Sequence, residues 1–263
     1  MTTAPTLHRP VSVAVDLPLW RAKIAAQAIL PHVSTDDVTP ILTVAHIGGG
    51  YLTATDRYSV GRFTLQDQEE PPARNTDSRH GESEEHYQAR LEDWRAQHEV
   101  RYFAAGQRTT DTQEMLVPLD ALRRISTLSS ALLPCGKVAE MTARVRIEAH
   151  EGQPHVREEY ITYKWVDVIL YEQDRAVLRQ TFLGVTGMMP PVGRLLDEWV
   201  PAEEAGTLNF TSWNLAKMTK FAGAREVIRL TAGKSTVAHH KLAPTRLEVG
   251  KDFVALLQPN LAL

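Results

Sequence analysis

One order of elements recurs three times along the chain, and this recurrence limits the fold more than any other feature of the sequence. The first pass opens at residues 11–17, VSVAVDL, which alternate as a strand does. Pro18 suits a first helical turn, and LWRAKIAAQAIL follows with Leu19, Ile24, Ala25, Ala28 and Ile29 spaced for one apolar face. PILTVAHI, YLTAT and YSVGRFTL then read as three short strands, divided by Gly48-Gly49-Gly50 and by the Asp56-Arg57 corner. The second pass is the strand EMLVP, the helix LDALRRISTLSSAL, and the strands ARVRIEAH, EYITYKWVDVILYE and AVLRQTFLGV. The third is LNFTS, the helix WNLAKMTKFA stopped at Gly223, then EVIRLTA, STVAHHKL and DFVALLQP. Units that share an order of elements without sequence identity predict an internally repeated α+β fold.

Two stretches interrupt the pattern. Residues 66–112 turn polar, charged and proline-containing, which predicts an exposed insertion; within it SEEHYQARLEDWRAQHEVRYF suits a helix with Tyr87, Leu91 and Trp94 on one side. Residues 186–206, TGMMPPVGRLLDEWVPAEEAG, read as a connector that belongs to neither flanking sheet. The expected division is therefore a complete domain over 1–185, a connector over 186–206, and a half or shortened domain over 207–263.

Composition narrows the class of function. At 263 residues and 43% hydrophobic, the chain can bury one large or two modest cores. A single cysteine, Cys135, excludes an internal disulfide framework and suits a reducing cytoplasm. No apolar run reaches the roughly 18–20 residues of a membrane helix, and MTTAPTLHRP lacks the apolar region of a secretory signal. The net charge of −3 means that any contact with nucleic acid must come from local basic surface.

Enzymatic signals are weak throughout. Asp56 beside Arg57 offers one carboxylate and no acid–base pair, so its expected role is to hold the corner. His239-His240 would point to opposite faces of a strand, and no cysteine or acid cluster near them completes a metal site. Cys135 has no evident histidine partner; Ser126, Ser129 and Ser130 lie in a helical pattern without a nucleophile elbow. The triple glycine precedes a strand rather than a helix, which argues against a phosphate loop. The reading is a non-enzyme without cofactor or metal. The helices carry the stronger signal: Arg21 and Lys23 on the first, Arg123 and Arg124 on the second, Lys217 and Lys220 on the third, with Asp120 almost the only acid. Three basic helices suit either ordinary solvated faces or positive charge presented to one polyanion, whose phosphates would be met without reading bases and with an affinity that falls with salt.

Together, the repeat, the basic helices and the local motifs resemble the bacterial sliding clamp, the β subunit of the replicative polymerase. YLTATDRYSVGR looks like the clamp's Ala-Thr-Asp turn between strands, and LVPLDALRRIS resembles the strand and helix opening the second half of a clamp domain. FLGVTGMMPPVGRLLDEW is similar to the clamp's connector, and DFVALLQPNLAL to its C-terminal strand. The resemblance covers most of 11–263 outside the insertion. It implies a DNA-clamp fold and a processivity factor that holds polymerase on duplex DNA, with a clamp loader as a further partner. It also implies an apolar groove for short peptides of replication proteins. Thr55, Tyr58 and Val60 would form one wall, Pro190, Arg194 and Leu195 the floor, and Leu256, Leu257, Pro259 and Asn260 the other side. Arg57 departs from the small residue frequent at its position, and Gln258 and Asn260 are more polar than common in clamps. The family's protomer has three domains of two units each, so a homo-oligomeric ring here would need four protomers, or three if the C-terminal region is fuller. A chain that closes no ring would instead be a clamp-like adaptor or decoy for replication proteins. A compact clamp with a charged insertion suits a phage or mobile element.

Overall fold

A computed structural model describes residues 11–66, 71–74, 82–104, 107–110, 114–128, 142–152, 163–185, 187, 189–203, 212–222, 226–234 and 244–258. The first unit comprises β1 (Val11–Pro18), α1 (Leu19–Ile29), two 3-10 turns, β2 (Val44–Gly48), β3 (Tyr51–Thr55) and β4 (Ser59–Thr64). The second comprises β7 (Met115–Pro118), α3 (Leu119–Thr127), β8 (Arg144–Gly152), β9 (Tyr163–Glu172) and β10 (Arg175–Leu183). Between them lie α2 (Glu84–His98), β5 (Arg101–Ala104) and β6 (Gln107–Thr109). After them come α4 (Gly193–Asp197), α5 (Ser212–Thr219), β11 (Ile228–Thr231), β12 (Thr245–Val249) and β13 (Phe253–Leu257).

Each of the first two units gives its opening strand to the other unit's sheet. One sheet runs β10-β9-β8-β1-β5-β6 and the other β11-β12-β13-β4-β3-β2-β7, with all described pairings antiparallel. The exchange is matched in register: Pro18 at the end of β1 faces Arg144, and Pro118 at the end of β7 faces Val44. Both prolines end a strand in extended conformation and hand directly to a helix beginning with leucine. Proline fits there because it continues neither ladder and costs the helix no internal hydrogen bond.

The two helices pack on each other between the sheets. The small side chains of Ala22, Ala25, Ala26 and Ala28, all buried, let α1 approach its neighbours closely, and Ala121, Leu122 and Ile125 meet the same core from α3. Val15 and Leu17 of β1, Val145 and Ile147 of β8, Leu52 and Phe63 of the other sheet, and Leu247, Phe253 and Leu257 from the C-terminal strands complete it. At about 25 cal/mol per Å² of apolar surface, this burial dominates the fold's stability.

Three expectations are corrected. The 66–112 segment is not wholly an excursion: β5 pairs with β1 from Val13↔Ala104 to Asp16↔Arg101, and Val100 and Tyr102 are buried. Arg144 ties that segment down, donating to the carbonyls of Ala96 at 2.7 Å and Glu99 at 2.6 Å and to the buried Asp16 carboxylate at 2.6 Å. The expected helix is present only over Glu84–His98, capped by Ser83 and with Tyr87, Leu91 and Trp94 half-buried on one side; the RYF at its expected end belongs to β5 instead. PILTVAHI begins as a 3-10 turn, Pro40–Thr43, because proline has no amide hydrogen to give a ladder, and only Val44–Gly48 is strand. In the third unit, residues 208–211 of LNFTS and all of STVAHHKL lie outside the described residues, as do Cys135 and His239-His240, and Ser212 opens a helix instead of ending a strand. Thr245–Val249, not singled out from sequence, forms the strand between β11 and β13. No described helix is long and apolar enough to cross a membrane.

Candidate functional site

The corner between β3 and β4 is built by its own side chains. One oxygen of Asp56, Oδ1, accepts from the amides of Tyr58 at 3.0 Å and Ser59 at 2.7 Å, and from the Ser59 hydroxyl at 2.9 Å. The Thr55 hydroxyl donates to the Ser59 carbonyl at 2.8 Å and accepts from the Arg57 amide. Asp56 thus holds the turn, as its position predicts. Beneath the corner, His32 Nδ1 lies 2.9 Å from the Ser59 hydroxyl. Gly61 leaves room for that imidazole: a Cβ there would meet His32 at 2.5 Å. Burial pulls the His32 pKa down to about 4, against a smaller upward pull from Asp56, so the ring is neutral at neutral pH.

The C-terminal strand is laid against this corner. β13 pairs with β4, Leu256 opposite Val60, and the Gln258 amide donates to the Tyr58 carbonyl at 2.9 Å. The connector closes the third side, where Leu196 of α4 packs with Val60 and Leu256, and Val192, Trp199 and Val254 add to the cluster. Trp199 is anchored by its indole N–H to the Pro244 carbonyl at 2.9 Å and lies under the Arg246 guanidinium. Above this apolar patch opens a groove of about 570 Å³ lined by Arg57, Tyr58, Ser59, Val60, Leu195, Glu198, Trp199, Val200, Gly233, Lys234, Pro244, Leu256 and Gln258. Tyr58 is 73% exposed and Leu195 53%, so two large apolar side chains face solvent across it.

Of the residues expected in a groove, Tyr58, Val60, Leu195 and Leu256 meet there. Thr55 is buried and acts through the turn, and Leu257 points into the main core, as strand alternation requires of a neighbour of Leu256. Pro190 and Arg194 instead line a second cleft of about 640 Å³ on the other side of α4, with Tyr51, Arg62 and Asp197. Pro259 and Asn260 lie outside the described residues. Trp199, Val200, Gly233, Lys234 and Pro244 are additions that sequence reasoning missed; a tryptophan amid connector acids is the one signal that points to them.

No protein-family model matches the sequence, and no curated protein is similar to it. Solved structures are. The DNA polymerase sliding clamp from Pseudomonas aeruginosa, determined with a ligand, superposes with TM-score 0.53 at 11% identity over 100% of this chain and 70% of that one. The same organism's clamp bound to griselimycin gives 0.52 at 11% identity, over 99% and 68%. A putative DNA polymerase III beta subunit from Eubacterium rectale gives 0.51 at 9%, over 100% and 68%. The chain has the sliding-clamp fold.

Within the clamp fold, the basic helix residues divide. Arg21 is not a surface cation: it is 2% exposed, donates to the carbonyls of Thr64, Leu65 and Gln66, and pairs with Asp252 at 2.7 Å. Its guanidinium also lies over Phe63. It fastens α1 to the end of β4, a use of arginine that helical spacing alone does not reveal. Arg123 is exposed and pairs with Asp120 at 3.0 Å; Lys23 and Arg124 are half-buried; Lys217 and Lys220 are exposed. Elsewhere Glu148, His150 and Asp167 come together on β8 and β9 with metal-ligand character. The Arg179 guanidinium bridges the two carboxylates, at 3.3 and 2.5 Å, which makes the group a charge network across three strands. Burial pushes the Asp167 carboxyl up, but hydrogen bonds from Thr181 and Arg179 and nearby positive charge outweigh it and hold it low.

Proposed function

We propose that the protein is a DNA sliding clamp, a non-enzymatic processivity factor that holds replication proteins on duplex DNA. The observation that carries this reading is the meeting of Tyr58, Val60, Leu195 and Leu256, from three segments remote in sequence, on one groove within a clamp fold. A short peptide gains most of its affinity by placing a few apolar anchors in such a site. The groove takes the linear segments of a polymerase and of a clamp loader, and the neighbour bound to griselimycin supports using that compound as a competitor. Lys23, Arg124, Lys217 and Lys220 supply the sequence-independent attraction to phosphates. Residues 1–185 act as the complete domain and 207–263 as a shortened one, joined by 186–206, in the cytoplasm of a cell or phage-infected host.

Ring closure has a candidate seam. β10 and β11 end their sheets with Val177, Leu183 and Ile228 exposed, so an edge of one copy can add to the edge of the next. A second reading, a clamp-like adaptor that binds replication proteins without encircling DNA, is favoured by the burial of Arg21 and the pairing of Arg123. Light scattering over a concentration range, with retention on circular and linear DNA, separates the two. A trimer or tetramer retained longer on circles is the expected result. A monomer that leaves circles as fast as linear DNA selects the adaptor.

A further inference from the structure

Arg57 stands at the mouth of the groove in a backbone conformation that arginine seldom adopts. Its φ is 78°, and among described non-glycine residues only Gln173 shares the positive sign. The left-handed region crowds the Cβ of L-residues and suits glycine. Nothing in the turn's own hydrogen bonding requires an arginine, because Asp56, Thr55 and Ser59 supply the side-chain bonds and Arg57 contributes only its amide.

The charges around the groove are unevenly satisfied. Glu198 is paired with Arg194 at 3.0 Å, and Lys234 with Glu203 at 2.8 Å. Among the described residues, the Arg57 guanidinium reaches the neutral hydroxyl of Thr39, and no carboxylate lies within ion-pair distance of it. Asp56 next door already accepts three hydrogen bonds within its turn. A planar fork of donors is thus held open beside Tyr58 and Leu195, at the edge of an apolar site.

We propose that Arg57 is a specificity residue that selects peptides bearing an aspartate or glutamate beside their apolar anchors. The inference rests on the groove being a peptide site. A carboxylate meets a guanidinium with paired, charge-assisted hydrogen bonds, and an amide or an ammonium in its place forfeits them. Arg57 therefore does at the groove what a glycine in the same turn could not.

The test is fluorescence anisotropy with one labelled peptide scaffold carrying leucine and phenylalanine anchors, its central residue being Asp, Asn or Lys. The parent protein is expected to bind the Asp peptide about tenfold more tightly than the Asn peptide, and the Lys peptide more weakly still. Arg57→Gly, which suits the positive φ and keeps the fold, should bring the three together, and Arg57→Glu should favour Lys. Equal binding of all three by the parent overturns the selector and leaves the groove standing. Binding of none overturns the groove and the selector with it. Loss of DNA retention in Arg57→Gly, without change in peptide preference, would assign the guanidinium to phosphate instead and also overturn the proposal.

Discussion

β4 and β10 hold the same place in the first and second units, yet their surroundings are opposite. β4 is mostly buried because β13 covers its outer edge, whereas β10 is the last described strand of its sheet and is exposed along nearly its whole length. The sequences fit the difference. β4 carries Gly61, which admits His32 beneath it, and Phe63, which joins the core; β10 carries Arg175 and Arg179, charges of the kind that keep an open edge from pairing at random. The covered strand becomes one wall of a groove, while its uncovered counterpart remains free for a neighbour. One repeated unit thus supplies two different surfaces, depending on whether a later strand of the chain returns to cover it.

The covered edge is where damage should be largest. Arg21→Met removes a buried guanidinium from three carbonyls and from Asp252, and should cost about 3 kcal/mol of unfolding free energy in urea titration. A loss of DNA affinity with unchanged stability would instead return Arg21 to the DNA-facing set. Acid should act on the same edge. The folded pKa of His32, about 4, lies below its ordinary value near 6.5, so folding disfavours its protonation. Stability from this group is complete above pH 6.5 and is lost as pH falls toward 4, by about 3 kcal/mol in all. Denaturant melts of the parent and His32→Gln should converge over that interval, and parallel pH profiles would refute the assignment.

Smaller effects are expected where strands are appended or left open. Replacing Gln68–Gly81, which leaves the Ser83 cap of α2 in place, with a short Gly/Ser linker should change stability by less than about 1 kcal/mol in a thermal melt. Tyr102→Asp, by contrast, places a charge in a strand that β1 needs as a neighbour, and an unaffected melt there would show that β5 is dispensable. Val177→Lys on the open edge should leave stability within about 0.5 kcal/mol and lower the native mass if β10 is a ring seam. An unchanged mass would place the seam elsewhere.

Much of this asymmetry is legible in the sequence, and the rest is hidden for physical reasons. Strand and helix periodicity locates β1, α1, β3, β4, α3 and β8 to β10 closely, because alternation and apolar faces follow directly from burial. β5 and β12 escape it since both are short and interleave charged residues, as in RYFA and TRLEV, and gain their place only from a neighbouring strand. Tyr58, Val60, Leu195 and Leu256 emerge from the order of motifs, whereas Trp199 and Lys234 reach the groove by tertiary folding that spacing does not encode. Pro190 and Arg194 are misplaced by the motif because a helix of one turn and a half separates their cleft from the groove that Leu195 lines.

If the clamp reading holds, the groove above Val60 and Leu256 is the partner site. Isothermal titration of a polymerase-derived clamp-binding peptide into the parent and into Leu195→Asp tests it most directly. Leu195 is 53% exposed, so the charge should leave the melting temperature nearly unchanged while weakening the peptide by at least about tenfold. Equally tight binding by both proteins, with stability intact, would place the partner site elsewhere on the molecule.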